Sequence, residues 1–343
     1  MKSHKELTFL GIETSCDETA AGIVSCKKDN GRLSFKVLAN IVSSQHIHSH
    51  TGGVIPEQAS RAHIQLIVPI VKTALAVANK TYQDLDGIAV TYAPGLVGSL
   101  LVGLSFAKAL ALSLKIPFVG VNHLKGHIFS LFISYPELQP PFLALIISGG
   151  HTELLLINSY NQQKILGTTF DDACGEAFDK VARMLGLPYP GGSFIEKLAQ
   201  KGKRTIMFPM PNMPAYDFSF SGLKTAVLYY LKSQTNPNKE DIACSFQEVV
   251  FDFLLKKIQL AVAEYQINKV GISGGVAINR YLREKCYEYG KIHNIDFYFP
   301  DLSMSTDNGA MIAAAGIANY LERGPSPLAL APIANIRYAS TIN

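Results

Sequence analysis

The chain has 343 residues, of which 48% are apolar and 17% are charged. This composition is typical of a folded protein with room for two hydrophobic cores, and it excludes a mainly disordered chain. The net charge of +4 is well below the concentrated positive charge of a protein that grips nucleic acid alone. An RNA substrate would therefore require a local basic patch or a partner.

The cysteines and the N-terminal stretch indicate a reducing compartment. The cysteine count is odd, and no pair has the Cys-x-x-Cys spacing of a zinc or redox site. The N-terminal stretch reaches Glu13 and Asp17 after a very short apolar run, which is not a signal peptide. No uninterrupted apolar run approaches the ~20 residues of a membrane-spanning helix. We therefore predict a cytoplasmic protein without a membrane segment. The cysteines are Cys16, Cys26, Cys174, Cys244 and Cys286.

Strand-like runs alternate with helical windows along the chain. This alternation predicts an α/β protein in which helices pack on sheets. In chain order the elements are the strand LTFLGIE (7–13), the helix over 59–80, the strand GIAVTY (87–92), the helix over 95–115, and the strands FLALIIS (142–148) and KVGIS (269–273).

An internal repeat predicts two related halves. Residues 9–24 align with residues 142–157, and each segment reads as strand, tight polar turn, strand. The proline-rich stretch 134–142 separates the halves. We predict a first domain over 1–136 that is completed by a helix around 307–322, a second domain over 137–306, and an irregular tail over 324–343. The aligned identities are Phe9 with Phe142, Leu10 with Leu143, Ser15 with Ser148 and Thr19 with Thr152.

Three turns of small or polar residues follow strands, at 13–19, 148–152 and 272–279. Glycine lets the backbone approach a ligand, and successive N–H groups in such a turn can cradle a phosphate. A Gly-Gly pair also serves simply to make a tight turn. None of the three matches the phosphate-binding P-loop or the Rossmann fingerprint. Together with the repeat, they predict a nucleotide in a cleft between the halves.

A pair of histidines, His123 and His127, follows the apolar run IPFVGV (116–121). On an α-helix residues four apart share one face, so two imidazoles there can converge on one metal ion. Asn122 is suited to cap such a helix. The alternative is two half-buried histidines bonded to the backbone. The spacing alone leaves both interpretations open.

The whole chain resembles one family within the actin, Hsp70 and sugar-kinase superfamily, whose fold is a duplicated pair of α/β domains around a nucleotide cleft. That family is the TsaD (Gcp or YgjD) group of tRNA threonylcarbamoyl transferases. The matching stretches run in family order over about residues 9–316. They are GIETSCDET (11–19), GGVIPEQASRAH (52–63), APGLVGSLLVG (93–103), NHLKGH (122–127), ISGGHT (147–152), FDDACGEAFDKVARMLGLPYPGG (170–192), DFSFSGLKTA (217–226), GISGGVAINRYLR (271–283) and STDNGAMIA (305–313).

The resemblance implies a metal site formed by His123, His127 and Asp307. It implies one divalent ion per subunit, Fe²⁺ in the first place and Zn²⁺ as the alternative. Two imidazoles and one carboxylate suit either ion and leave positions open for substrate oxygens. Asp307 also precedes an apparent helix, so we expect it to cap that helix as well.

The resemblance also implies a substrate-binding set. Asp179 has the alternative of a surface ion pair with Arg183, and Asn279 has that of a helix cap. This chain departs from the family pattern at Glu196, where many members have aspartate, and at Gly309, where alanine is common. The implied substrate-binding residues are Ile146, Ile147, Ser148, Gly149, Gly150, Asp179, Gly192, Glu196 and Asn279.

The implied reaction moves a threonylcarbamoyl group from threonylcarbamoyl-AMP to N6 of the adenosine at tRNA position 37, in tRNAs that read codons starting with A. No residue stands out as a general base, and we assign no catalytic residue. The implied partners are a TsaB-like paralogue that forms a heterodimer, a TsaE-like ATPase, and a TsaC-like enzyme that makes the donor. Dispersed basic residues are candidates for tRNA phosphate contacts. They are Arg61, Lys180, Arg183, Lys201, Lys203, Arg204 and Lys224.

The sequence argues against three other functions. A zinc metalloprotease of the His-Glu-x-x-His type requires glutamate after the first histidine, and this chain has Leu124. An ATP-dependent small-molecule kinase of the same superfamily leaves the metal set unexplained. A non-catalytic scaffold would lack the two histidines and the aspartate.

Overall fold

The structure is a computed structural model that describes residues 6–45 and 53–335, in two compact units. The first unit contains the described residues of 6–45, 54–139 and 300–335, and the second contains 140–299 with Gly53. The proline-rich stretch predicted as a boundary contains the division at residue 139. Residues 137–139 and 300–306, predicted in the second domain, group with the first unit. One physical reason is that the N–H of Asp301 donates to the Ser134 hydroxyl of that unit.

Each unit contains one five-stranded sheet. In the first sheet the order is β3-β2-β1-β4-β5, and in the second it is β10-β9-β6-β7-β8. The strands are β1 (Leu7–Glu13), β2 (Glu18–Asp29), β3 (Arg32–Ser44), β4 (Gly87–Ala93), β5 (Phe118–Asn122), β6 (Phe142–Ile147), β7 (Thr152–Ile157), β8 (Gln163–Thr168), β9 (Lys269–Ser273) and β10 (Asp296–Tyr298).

Helices connect and cover the strands in both units. The helices of the first unit are α1 (Pro56–Val77), α2 (Val97–Leu114), α3 (His123–Ser134), α9 (Leu302–Ser305) and α10 (Gly309–Arg323). Those of the second unit are α4 (Cys174–Met184), α5 (Gly192–Ala199), α6 (Ser221–Ser233), α7 (Lys239–Tyr265) and α8 (Arg280–His293). Short 3₁₀ turns cover Tyr82–Asp84 and Gly275–Ile278.

The two sheets are structural repeats. Strands β1 and β2 form an antiparallel hairpin in which Phe9 pairs with Val24, and β6 and β7 form one in which Phe142 pairs with Ile157. These pairs occupy the same positions of the aligned segments, so the two hairpins share one register. Each hairpin also has a parallel strand beside it, β4 against β1 and β9 against β6. The predicted α/β fold is confirmed.

Strand β1 is buried on both faces because helices cover the first sheet on each side. Leu10 and Ile12 belong to a core cluster that includes residues of α1 and α2. On the opposite face Phe9 contacts the ring of Tyr320 in α10. Successive side chains of a strand point to opposite faces, so this apolar run needs a cover on both.

Glycines let α10 approach the first hairpin at backbone distance. A Cβ built on Gly11 would lie 2.1 Å from the Gly309 carbonyl oxygen, and one on Gly22 would lie 2.3 Å from the Ala310 nitrogen. A Cβ on Gly309 would lie 2.1 Å from the nitrogen of Gly22. An alanine at position 309, common in the family, would therefore require this helix to sit farther from the hairpin.

The predicted irregular tail has no helix or strand over its described residues, 324–335. It nevertheless packs on the first unit. The N–H of Ser326 donates to the Phe118 carbonyl, and the N–H of Ile333 donates to the Tyr92 carbonyl. Residues 336–343 lie outside the described residues.

One helix of the described chain, α2, is long and apolar enough to cross a membrane by length and composition alone, and 33% of it is buried. In the sheet this helix joins the parallel neighbours β4 and β5. Crossover helices of this kind normally pack on a sheet. This placement favours a helix of the α/β unit over a membrane span.

We predict that Gly11→Ala lowers the free energy of unfolding by about 3 kcal/mol, because the new methyl group meets backbone atoms that cannot rotate away. Urea unfolding followed by circular dichroism measures this. The matched control is Gly222→Ala in α6, where a Cβ meets nothing within 4 Å; it should be neutral or stabilise by up to about 1 kcal/mol. Equal stability of Gly11→Ala and the wild type would contradict the close contact.

Candidate functional site

The histidine pair lies on the first two turns of α3. The side-chain oxygen of Asn122 accepts hydrogen bonds from the N–H groups of Leu124 (2.9 Å) and Lys125 (3.3 Å). It is thus the predicted N-cap, and it starts the helix directly after β5. His123 and His127 follow on one face, both buried. The helical interpretation of the pair is confirmed.

Asp307 reaches the histidines from the segment before α10. The expectation that Asp307 caps this helix was wrong: the cap is Asn308, whose side-chain oxygen accepts from the N–H of Met311 at 2.9 Å. One carboxylate oxygen of Asp307 lies 3.5 Å from Nε2 of His123 and 3.2 Å from Nε2 of His127. The structure therefore brings all three predicted ligands together.

The geometry of this trio fits a metal ion. The three ligand atoms lie within 4.8 Å of one another. His127 is fully buried, and neither of its ring nitrogens makes a hydrogen bond among the described residues. The Asp307 oxygen 3.2 Å from Nε2 lies outside hydrogen-bond geometry. A buried polar atom without a partner is costly. Coordination of an ion would satisfy Nε2, because imidazole nitrogens and carboxylate oxygens bind divalent metals at about 2.0–2.2 Å.

Glu13, which the sequence alone did not single out, contacts His123 on the ring nitrogen that faces away from Asp307. Its carboxylate is completely buried at the end of β1. It lies 3.0 Å from Nδ1 of His123 and accepts hydrogen bonds from the Ser15 N–H and the Thr91 hydroxyl, both at 2.5 Å. A carboxylate in this position keeps the proton on Nδ1 and leaves Nε2 to face a metal. The one sequence feature that could have identified Glu13 is its position as a charged residue at the end of an apolar strand.

The charges around the trio favour a cation. Burial lowers the pKa of His123, but the carboxylates of Asp307 and Glu13 outweigh it and raise that pKa to about 9. Burial, together with the charges of Asp307 and Asp17, raises the pKa of Glu18 to about 10. Several carboxylates thus compete for few positive groups, and a bound divalent ion would be the largest local charge.

The predicted substrate-binding residues form one contiguous chain of contacts in the second unit. The Ser148 carbonyl accepts from the N–H of Gly175 in α4 (3.1 Å), so the turn after β6 abuts that helix. Asp179, also in α4, accepts from the N–H of Gly191 (2.6 Å) and so holds the residue before Gly192. The turn containing Gly274 packs against Ile147, since a Cβ there would lie 2.4 Å from its carbonyl oxygen.

The last contacts of this series, those of Glu196 and Asn279, lie at the start of α8. Glu196 accepts from the N–H of Arg280 at 2.7 Å. Asn279 accepts from the N–H of Leu282 at 2.9 Å and donates from its amide to Gln247 at 3.0 Å. The capping alternative for Asn279 is confirmed. Whether these residues also contact a ligand stays a prediction.

Open glycines line this chain of contacts. A Cβ built on any of them meets nothing within 4 Å, so a ligand can approach the backbone there. The side-chain hydroxyl of Ser148 accepts from the N–H of His151, which shapes the turn. The glycines are Gly149, Gly150, Gly192 and Gly275.

Several of the basic candidates for tRNA contacts already carry ion pairs. Lys180 and Lys224 both contact Asp172, at 2.6 and 2.7 Å. Arg204 contacts Asp252 at 2.7 Å. These three side chains are partly neutralised, so the structure does not single them out as an RNA-binding patch.

Comparison with known proteins identifies the family of this chain. Residues 36–314 match the family model described as TsaD: tRNA N6-adenosine threonylcarbamoyltransferase. Relatives that carry this name include one from Thermosipho africanus, 48% identical over 96% of this chain and 100% of its own length. Another, from Caldicellulosiruptor saccharolyticus, is 50% identical over 90% of this chain and 92% of its own length.

Solved structures are similar in fold alone. HypF from T. kodakarensis aligns with a TM-score of 0.64 at 16% identity, over 92% of this chain and 48% of that one. Component A of (R)-2-hydroxyglutaryl-CoA dehydratase from Acidaminococcus fermentans aligns with a TM-score of 0.55 at 15% identity, over 92% and 98%. Both likenesses agree with the two-sheet kinase-type fold.

The family model matches residues 36–314, the named relatives span 90% or more of the chain, and the predicted metal ligands lie together in its first unit. These findings favour a transferase over a kinase or a non-catalytic scaffold. The chain belongs to the TsaD family of tRNA N6-adenosine threonylcarbamoyltransferases and is an enzyme of tRNA modification.

Proposed function

We propose that the protein transfers the threonylcarbamoyl group from threonylcarbamoyl-AMP to N6 of adenosine 37, in tRNAs that read codons starting with A. The N6 amine attacks the carbamoyl carbon, the bond from that carbon to the phosphate oxygen breaks, and AMP and a proton leave. The observation that carries this proposal is the trio of His123, His127 and Asp307, in a chain of this family. Such a reaction needs orientation more than a strong base.

We propose that the trio holds one divalent ion, Fe²⁺, with Zn²⁺ as the alternative. Two histidines and one carboxylate with further positions open are the donor set of non-haem Fe²⁺ sites, and zinc also accepts this set. When bound, the ion supplies a Lewis acid that polarises a substrate oxygen. Glu13 keeps His123 in the tautomer whose Nε2 faces Asp307.

We propose that the AMP part of the donor binds the open glycines of the second unit, from the Ile146–Gly150 segment to Gly192 and Asn279. The lack of side chains at these glycines and their contiguous contacts support this placement. The N–H of Ser148 already donates to the His151 carbonyl at 2.9 Å, so the N–H groups of Gly149 and Gly150 are the ones that would offset negative charge on the carbamoyl oxygen. Carboxylates such as Asp179 and Glu196 suit ribose hydroxyls.

A TsaB-like paralogue is the partner that we propose for the outer face of α1 and α2. The exposed side of α2 includes Val97, Leu101 and Leu112. The one charged residue of this helix, Lys108, is half-buried and donates to the Leu330 carbonyl. Next to it, α1 exposes Ile64 and Val68. This apolar strip, flanked on α1 by the exposed side chains of Arg61 and Lys72, suits a partner that presents similar helices.

The family relationship supports our proposals for the remaining partners and for the compartment. We propose that a TsaE-like ATPase joins the complex, that a TsaC-like enzyme supplies the donor, and that the protein works in the cytoplasm. The five cysteines are all free thiols, in keeping with a reducing compartment.

We predict that His127→Ala and Asp307→Ala each lower the transfer rate by at least ~100-fold, because each removes a metal ligand and even supporting residues cost 10–100-fold. The assay combines the protein with its partners, threonylcarbamoyl-AMP and unmodified tRNA, and mass spectrometry quantifies modified adenosine. His293→Ala, on the exposed surface of α8, is the control and should keep full activity. Full activity of both ligand variants would sink the metal-dependent transferase.

Glu13→Gln should weaken metal binding by about 10–100-fold, because an amide no longer enforces the proton on Nδ1 of His123. Co²⁺ titrated into the metal-free protein, with visible absorption as the signal, gives the affinity. Glu57→Gln, an exposed carboxylate in α1, serves as the control. Wild-type affinity in Glu13→Gln would show that the carboxylate does not orient the ligand.

Leu101→Glu should weaken binding of the TsaB-like paralogue at least ~10-fold, because association would bury an unpaired charge. Isothermal titration gives the affinity, and light scattering gives the mass of the complex. Leu260→Glu, at an equally exposed position of α7, should bind normally. A wild-type affinity for Leu101→Glu would rule this face out. A wild-type homodimer that Leu101→Glu dissociates would identify a second copy as the occupant.

A further inference from the structure

His63 is a fully buried histidine that belongs to neither the metal trio nor the substrate-binding set. It lies on the inner side of α1, and both of its ring nitrogens contact the turn between β1 and β2. Nδ1 lies 2.8 Å from the Thr19 hydroxyl, and Nε2 lies 2.9 Å from the Cys16 carbonyl oxygen. A carbonyl can only accept, so Nε2 carries a proton, and in the neutral ring Nδ1 accepts from Thr19.

These two contacts span the turn. Cys16 lies within it, whereas Thr19 already belongs to β2. One rigid ring therefore fixes the distance between the middle of the turn and the strand that follows. Because both nitrogens of the buried His63 ring are bonded to the same short segment, the ring can hold that segment in a single conformation.

The same turn supports the metal trio on its other side. The N–H of Ser15 donates to the carboxylate of Glu13, and the Ser15 hydroxyl lies 3.2 Å from Nδ1 of His123. Ser15 is the immediate neighbour of Cys16. The residue whose carbonyl His63 holds, Cys16, is thus covalently bonded to a residue that contacts a predicted metal ligand.

The backbone just before α2 also contacts this turn. The N–H of Leu96, just before this helix, donates to the Ser15 carbonyl at 2.8 Å. A Cβ at Gly95 would lie 2.6 Å from that oxygen, so the backbone packs closely there. The turn is clamped between the backbone before α2 and the imidazole of His63.

We propose that His63 is a positioning residue for the metal centre: it holds the turn between β1 and β2 so that Ser15 and Glu13 orient His123. This inference rests on the metal site of the proposed function. It assigns His63 no contact with the ion or the substrates. Its effect is on how well the trio binds a metal, and not only on whether the chain folds.

The test measures Co²⁺ affinity and the visible spectrum of the full-length, metal-free protein, without tRNA or donor. His63→Ala should weaken Co²⁺ binding by about 10–100-fold and change the spectrum, as loss of a supporting group does. His63→Gln should recover most of the affinity, because its amide can still donate to the Cys16 carbonyl. Ile67→Ala, a buried residue one turn further along α1, loosens the packing without touching the turn and should bind Co²⁺ normally.

The outcomes separate this inference from the proposed function. Wild-type Co²⁺ binding that is lost in His127→Ala but unchanged in His63→Ala overturns the role of His63 and leaves the metal centre intact. Equal losses in Ile67→Ala and His63→Ala also overturn it, because general loosening of α1 would then explain both. A wild type that binds no Co²⁺ overturns the metal centre itself, and the positioning role with it.

Discussion

The close contact between α10 and the first hairpin is the constraint on which the proposed metal site depends. Gly11 and Gly22 lack the side chains that would keep the helix away, and Gly309 meets them from the helix side. This contact anchors the segment before α10, and with it Asp307, near the end of β1. Without this contact, nothing would hold Asp307 beside His123 and His127, which are far from it in sequence.

The rest of the site uses the carboxyl ends of three neighbouring parallel strands. Glu13 ends β1, Thr91 lies near the end of β4, and Asn122 ends β5 and starts the helix that carries His123. Open α/β sheets commonly place their ligands outside this edge. Here the edge supplies His123 as a proposed ligand, the Glu13 carboxylate that lies against its Nδ1 and the Thr91 hydroxyl that donates to this carboxylate.

The duplicated hairpins are used for opposite charges. The repeat places Glu13 opposite Ile146, Cys16 opposite Gly149 and Asp17 opposite Gly150. The first turn surrounds its site with carboxylates, which favour a cation. The second presents glycines, whose exposed backbone suits a phosphate. One strand pairing is thus compatible with the two kinds of ligand that we propose, because the pairing depends on the backbone and the specificity depends on the turn residues.

The sequence by itself determined the local features: the alternating strands and helices, the repeated hairpin, the cap at Asn122 and the shared face of His123 and His127. These depend on residues near one another in the chain, where spacing and propensity act directly. Asp307 as a ligand came only from resemblance to a family, and its expected capping role was wrong because the next residue, Asn308, caps the helix.

Only the tertiary structure decided that the Glu13 carboxylate contacts His123, 110 residues away in the chain. The same is true of the contact between His63 in α1 and the turn between β1 and β2. Such contacts depend on strand order and helix packing, which no local pattern specifies.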